Sequence, residues 1–525
     1  MSINSAAFLL FLLVSVCACY LVPKRVRYLV LLAASAYFYL AYSLRAACCL
    51  LFTILLTYGA AQALAALHRR ERAELDIERV DRSGIKKHGK RRRRLVLTAA
   101  LVLNFATLAL FKYLNAWMGT AGVLAGLLGI ETNFRPLNLL LPLGISFYVF
   151  QTSGYLIDVY RGRVSAERNL LKYALFVSWF PQMVQGPINR YDRLLPQLLA
   201  GSDFSADNIK YGIQLMLWGM LKKVFIADPL AGAVGEIYGN YTQYPGAVLF
   251  LGAALYCLQL YCDFSGGTDL VRGASQLFGV EMAENFRRPY FARSVDEFWR
   301  RWHISLGEWM KDYLFYPLAL SGPMNRLGKK VKSALGPHLG KLTGPCLSTL
   351  IVFLAVGIWQ GPGFSNIAYG LWNGGLMSLA MLCGPLLSRA NERLGLGEDK
   401  WWFRAFQTLR TLLLVIIGRY FSRADSLRQA LGMLWRTVRH FGPAGGGIFT
   451  CFGLTGWDWL RLGIAAAVLL AVSILQERGM PIRKTLEKQS PAVQFGVLFA
   501  AVLLLVACVY LNTDYTAIMY VYENV

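Results

Sequence analysis

Lys86-Lys87-His88-Gly89-Lys90-Arg91-Arg92-Arg93-Arg94 closes a hydrophilic stretch, His68 to Arg94, with almost uncharged sequence on either side. The apolar runs flanking it, 47–67 and 95–114, each approach the ~20 residues a helix needs to cross a bilayer. The pattern extends outward in both directions. Apolar runs occupy 5–22 and 27–44 upstream, and 117–130, 137–160, 168–187, 208–226 and 246–262 downstream. Five more follow at 344–360, 364–384, 406–421, 457–475 and 491–511. Of 525 residues, 56% are hydrophobic and only 16% charged, and the mean hydropathy is +0.43. No soluble core hides that much apolar surface, so lipid is the solvent for most of the chain. The expected fold is an all-α integral membrane protein with about 11–14 membrane-embedded helices, some re-entrant, around a central funnel. It is read as a single domain, 1–525. N-terminal spans fill 1–67, a basic loop 68–94, the catalytic core region 137–375 and C-terminal spans 376–525.

Charge placement gives an orientation. Lysine and arginine gather in cytoplasmic loops, so the 68–94 block is placed in the cytoplasm. The basic loop Pro23-Lys24-Arg25-Val26-Arg27 lies two spans earlier, on the same side by parity, which puts the N-terminus outside. The run Met1 to Tyr20 lacks a basic start and precedes Pro23-Lys24-Arg25, so it reads as a retained span rather than a cleaved signal. The same bias accounts for the net charge of +24 better than nucleic-acid binding does. Ten cysteines lie mostly within apolar runs, with no Cys-x-x-Cys pair beside histidines, so neither a zinc site nor any other metal site is expected.

The middle of the chain departs from simple spans. Leu141-Pro142-Leu143-Gly144 and Phe180-Pro181 to Gly186-Pro187 break their apolar runs, and broken helices are tolerated at membrane depth only where protein or water satisfies the freed backbone. Gln182, Gln185, Asn189, Arg190, Asp263, Asp269 and Arg272 sit in or beside apolar sequence, as pathway groups or as snorkelling and capping groups at helix ends. His303 follows Phe298-Trp299-Arg300-Arg301-Trp302. Imidazole titrates near neutrality, so His303 is a candidate proton carrier. A satisfied core histidine bonded to Asp296 or Asp312 is the plainer alternative. The other four histidines, His68, His88, His338 and His440, lie in polar or basic segments.

Several motifs then fall in a recognisable order. They are Leu141-Pro-Leu-Gly-Ile-Ser-Phe-Tyr-Val-Phe-Gln151, Tyr155-Leu-Ile-Asp-Val-Tyr-Arg-Gly162 and Phe180-Pro-Gln-Met-Val-Gln-Gly-Pro-Ile-Asn-Arg-Tyr191. After these come Asp263-Phe-Ser-Gly266, Glu284-Asn-Phe286, Phe298-Trp-Arg-Arg-Trp-His-Ile-Ser-Leu306, Asp312-Tyr-Leu314 and Ser422-Arg-Ala-Asp-Ser426. The ordered set resembles the membrane-bound O-acyltransferases, in particular the bacterial alginate O-acetyltransferase-like branch.

The resemblance implies acyl transfer, most simply of acetyl, from a cytoplasmic thioester donor onto an exported polysaccharide. Acetyl-coenzyme A or an acyl carrier protein would supply the group as a substrate, with no bound cofactor, and extracytoplasmic acetylation partners are implied on the far side. D-alanyl transfer to teichoic acid is the alternative within the family; a transporter or a membrane scaffold is the alternative outside it. The resemblance makes His303 catalytic, with Arg300, Arg301, Asp263, Asn285, Asp312, Gln182 and Trp359 as substrate-binding candidates. The arginines would form a mouth attracting an anionic donor. The family carries a second histidine, regarded as the base, in a Trp-His-Gly motif. Here the matching string is Gly357-Ile-Trp-Gln-Gly-Pro-Gly363, followed by Tyr369-Gly-Leu-Trp-Asn-Gly374. Gln360 thus stands where an imidazole is expected, and an amide takes no proton at physiological pH. Three expectations remain open: His303 is the base and Gln360 orients the acceptor or the oxyanion; the chain catalyses poorly; or it is inactive.

Overall fold

In a computed structural model of the chain, the residues described are 3, 5–77, 81–127, 141–397, 399–442 and 452–510. Among them every regular element is helical, and the single β-bridge pairs Phe286 with Trp302. Seven helices there are long and apolar enough to cross a membrane: Leu44–Leu75, the stretch Arg82–Ala121, Gly246–Gln276, Pro337–Gln360, Phe364–Arg393, Gly456–Glu477 and Pro491–Val509. The chain is a multi-pass, all-α membrane protein. Ala6–Leu21 is apolar but shorter, and Phe180–Gln185, Val295–Arg301 and Ile304–Met310 are single or double turns.

The hydrophilic stretch after the third apolar run is not a loop. The helix Leu44–Leu75 runs on through His68 to Leu75, and a second helix, Arg82–Leu127, begins within the basic block. Alanine, glutamate, lysine and arginine are all good helix formers, so polarity here marks exposure and not irregular backbone. The two arms are joined by Arg93, which reaches Glu71 at 2.5 Å and the His68 ring at 3.0 Å. The runs 95–114 and 117–130, read separately, belong to this one helix as far as Leu127, and 128–140 lie outside the described residues. Cys451 and the end of the chain past Tyr510 also lie outside them; the other nine cysteines are free thiols.

The chain folds as two compact units. Among the described residues, the first runs to Met216 and takes in Leu270–Ala283; the second holds Leu217–Asp269 and the residues from Glu284 to Tyr510. The broken segments of the first unit are closed by side-chain amides. Gln182 donates to the Phe176 carbonyl at 2.8 Å, exchanges a bond with Gln151 at 3.3 Å and accepts from Asn189 at 3.2 Å. All three amides are buried, and they replace hydrogen bonds that the interrupted helices cannot make.

In the second unit, Pro337–Gln360 and Phe364–Arg393 form a hairpin that only small residues allow. A methyl group at Gly357 would collide with the Asn366 carbonyl oxygen, and one at Gly370 with that of Phe353. The hairpin carries both late motifs, so its tight turn fixes where Trp359 and Gln360 end up.

Candidate active site

The sequence around His303 explains its posture. Ser294 caps the short helix Val295–Arg301 by accepting from the Glu297 amide at 3.1 Å; Asp296 and Glu297 fill its first turn, Arg300 and Arg301 its last. Trp302 is extended, and His303, at φ +46°, then turns the backbone directly into the helix Ile304–Met310. A left-handed conformation is uncommon outside glycine, and asparagine, aspartate and histidine are the residues that adopt it most readily after glycine. Two backbone bonds lash this corner to Asn285–Arg287: Arg287 N–H to the Arg301 carbonyl at 2.9 Å, and Ile304 N–H to the Asn285 carbonyl at 3.0 Å.

That pairing sets Asn285 against the imidazole. Its Oδ1 receives the Ser305 backbone N–H at 3.1 Å and the Ser305 hydroxyl at 2.9 Å, and it lies 3.2 Å from His303 Nδ1. A backbone N–H only donates, so the atom it meets is the amide oxygen. Nδ1 must therefore carry the proton it shares with that oxygen, and Nε2 keeps the lone pair. Of the alternative partners for His303, Asp296 pairs with Arg300 at 2.7 Å, and Asp312 sits half-buried in the π-helical turn Lys311–Phe315.

The ring is 2% exposed. Phe264 meets it edge-on at 4.8 Å and Trp359 lies at 6.2 Å between ring centroids. His303 lies outside the seven long spans, and burial lowers its pKa from 6.5 to about 3. The proton carrier read from the sequence is thus an imidazole that burial holds in its neutral, proton-accepting form at physiological pH. The other four histidines are half-buried (His68) or exposed.

Gln360 is the last residue of the helix that delivers Trp359, and it is half-buried beside that indole in sequence. Trp299 donates to the Asn373 side chain at 3.1 Å, and Asn373 in turn donates to the Tyr369 carbonyl at 2.8 Å. The histidine motif and the late Tyr369–Gly374 motif are therefore physically joined.

The remaining candidates divide. Asp263 is buried and ion-paired: Lys223 bridges it at 2.6 Å and Asp228 at 2.8 Å, while Lys222 holds Asp269 at 2.7 Å and donates to Ser265 at 2.9 Å. The next residue along the chain, Phe264, packs on His303. Arg300 is exposed and pairs only with its own helix; Arg301 is held by Glu297 at 2.6 Å and Glu477 at 3.0 Å, and Glu477 also takes Arg288 at 2.6 Å. A mouth of bare guanidinium groups is thus largely neutralised at Arg288 and Arg301. Gln182 belongs to the first unit, in the amide chain above.

Sequence reading missed Arg419. It sits in the run 406–421 that reads as apolar, yet it is 2% exposed and lies over the Trp302 ring at 5.1 Å. The signal was present as the second of two arginines in that run, after Arg410.

Fold and site together define a membrane protein built around a buried, tautomer-fixed histidine. The chain belongs to the membrane-bound O-acyltransferase family. Residues 163–336 match the family profile (MBOAT, membrane-bound O-acyltransferase family). The chain is 33% identical over 401 residues to the probable alginate O-acetylase AlgI of Pseudomonas syringae, covering 76% of this chain and 71% of that one. It is 30% identical over 368 residues to the peptidoglycan O-acetyltransferase of Helicobacter pylori, covering 65% and 64% respectively. Identity to the teichoic acid D-alanyltransferase of Bacillus subtilis is 26% over 301 residues, covering 55% and 70%.

Proposed function

We propose that this chain is an O-acyltransferase that moves acetyl from a cytoplasmic thioester onto a hydroxyl of an exported polysaccharide, its one acyltransferase domain embedded in the cell membrane. The observation that carries the reading is the fixed tautomer: Asn285 and Ser305 leave His303 Nε2 with the lone pair that a general base needs. In this scheme Nε2 accepts the acceptor hydroxyl's proton as the oxygen attacks the thioester carbonyl. A C–O bond forms, the C–S bond breaks, and the proton passes to the departing thiolate. The Gln360 amide N–H donates to the carbonyl oxygen as negative charge builds there. Donor and carrier approach from the cytoplasm, and polysaccharide and acetylation partners from the other face. Acetyl is preferred to D-alanine because the more similar relatives carry acetylase names.

The test is transfer of labelled acetyl from acetyl-coenzyme A or an acetylated carrier to polysaccharide by the purified full-length protein, with its pH dependence. The base form of His303 is present at all pH values above about 3, so the rate should not fall as pH drops from 8 to 5. An acid limb centred near 6.5 that belongs to His303 would refute this role, and labelled alanine entering teichoic acid with no acetyl entering polysaccharide would refute the substrate choice.

A second reading is favoured by Gln360 itself: a family member that binds its substrates and catalyses poorly or not at all. The mutant pair in the Discussion separates the two.

The orientation follows the basic segments, with the hairpin arms around 68–94 in the cytoplasm and the N-terminus outside. Reporter fusions at these two places should report from opposite faces; the same face for both would reverse or void the assignment.

A further inference from the structure

The guanidinium of Arg419, on the helix Trp401–Arg423, is buried without a countercharge. Among the described residues no carboxylate lies within ion-pair distance of it. Its surroundings are aromatic. Trp302 lies under it at 5.1 Å, the Tyr369 ring is at 5.9 Å, and Nη1 donates to the Tyr369 hydroxyl at 3.2 Å. Tyr290 and Cys257 lie beside it, and the Tyr290 hydroxyl donates to the Cys257 carbonyl at 2.5 Å. The Tyr290 hydroxyl and the Cys257 thiol are close enough to interact with the guanidinium, but Nε and Nη2 make no well-formed hydrogen bond to either.

Two features make this more than a stray core arginine. A cation over aromatic rings recovers only part of what is lost by stripping that charge of water and leaving it unpaired. The aromatic box alone does not balance the charge. Moreover, the two unpartnered nitrogens are those of one guanidinium edge, the Nε–Nη2 side, whose parallel N–H bonds match two oxygens of a carboxylate or phosphate. The site also has a fixed relation to the chemistry, because the indole under the guanidinium belongs to Trp302, the residue before His303.

We propose that Arg419 is an oxyanion-binding residue of the substrate site, taking a carboxylate or phosphate side-on through Nε and Nη2. The inference deepens the acyl-transfer reading and, as a statement about substrate, rests on it. Two sources offer this chemistry: a phosphate of the thioester donor, or the carboxylate of a uronic-acid acceptor.

The experiment uses purified full-length protein in detergent, titrated with coenzyme A, a uronate tetrasaccharide and a neutral glucan tetrasaccharide, with tryptophan fluorescence and calorimetry as readouts. Wild type, Arg419→Gln and Arg419→Lys are compared. One anionic probe should weaken by at least about tenfold in Arg419→Gln and by less in Arg419→Lys, which keeps the charge without the fork, while the other probe is unchanged. Loss of coenzyme A binding assigns the donor phosphate, and loss of uronate binding the acceptor carboxylate. If Arg419→Gln binds both as wild type does, or if wild type binds neither, the proposal is wrong. Should Arg419→Gln fail to fold, Arg419→Lys carries the test, because its weakening of one anion and not the other is not a folding defect. Acetyl transfer is measured alongside. A wild type that binds an anion through Arg419 but transfers nothing would sink the acyl-transfer reading alone; transfer undiminished in an Arg419→Gln protein that binds both anions would sink this site alone.

Discussion

His303→Ala should lower acyl transfer by about 10²–10⁴-fold, the usual contribution of a general base, whereas Gln360→His should maintain or raise the rate. The first expectation follows from the hydrogen bonds that aim Nε2 and from the absence of any second buried imidazole among the described residues. The second follows from position. Gln360 succeeds the tryptophan that packs on His303, so an imidazole there restores the pair of histidines that the family pattern contains. Substrate binding by both variants is measured with the rate, so that lost chemistry is told from lost affinity. An active wild type killed by Gln360→His means that the site has been rebuilt around an amide. An active His303→Ala means that the base is elsewhere. Finding no transfer in any form of the protein, with substrates still bound, establishes the impaired reading.

The other large effect concerns stability. Lys223→Ala should destabilise the second unit by about 3–5 kcal/mol, because it strands Asp228 and Asp263 in the interior without their shared ammonium partner. Lys223 is 1% exposed, so water cannot replace the lost charge. Thermal unfolding in detergent measures the drop, and a triple variant, Lys223→Leu with Asp228→Asn and Asp263→Asn, should recover part of it. A Lys223→Ala protein that melts like wild type would show that the cluster contributes nothing to the fold. Asp263, read from sequence as a substrate group, is bound into this buried ion-pair cluster.

The legibility of this chain was uneven for physical reasons. Hydropathy located the long spans well, because a bilayer imposes length and composition on any helix that crosses it. It misread 68–94, where charge density signals water but leaves the backbone free to stay helical. Motif order led to the family and to His303, Asn285, Trp359 and Gln360, since those residues follow one another along short, rigid segments. What the sequence could not display was pairing across it. Nothing local to Asn285 says that its carbonyl oxygen faces an imidazole 18 positions later, and nothing near Arg301 announces Glu477. Arginines counted as a basic mouth were thereby counted before their partners were known. Arg419 was hidden by averaging: two charges in an apolar run barely shift the run, yet one of them is buried among aromatic rings without a countercharge.

The left-handed backbone at His303 has an evolutionary implication. Holding a residue other than glycine in that region costs on the order of 1 kcal/mol or more, a cost that glycine avoids. Random substitution drifts toward such relief wherever selection has let go of a position. Replacement by glycine would relax this buried corner while deleting the imidazole, so backbone ease and side-chain chemistry pull the position in opposite directions.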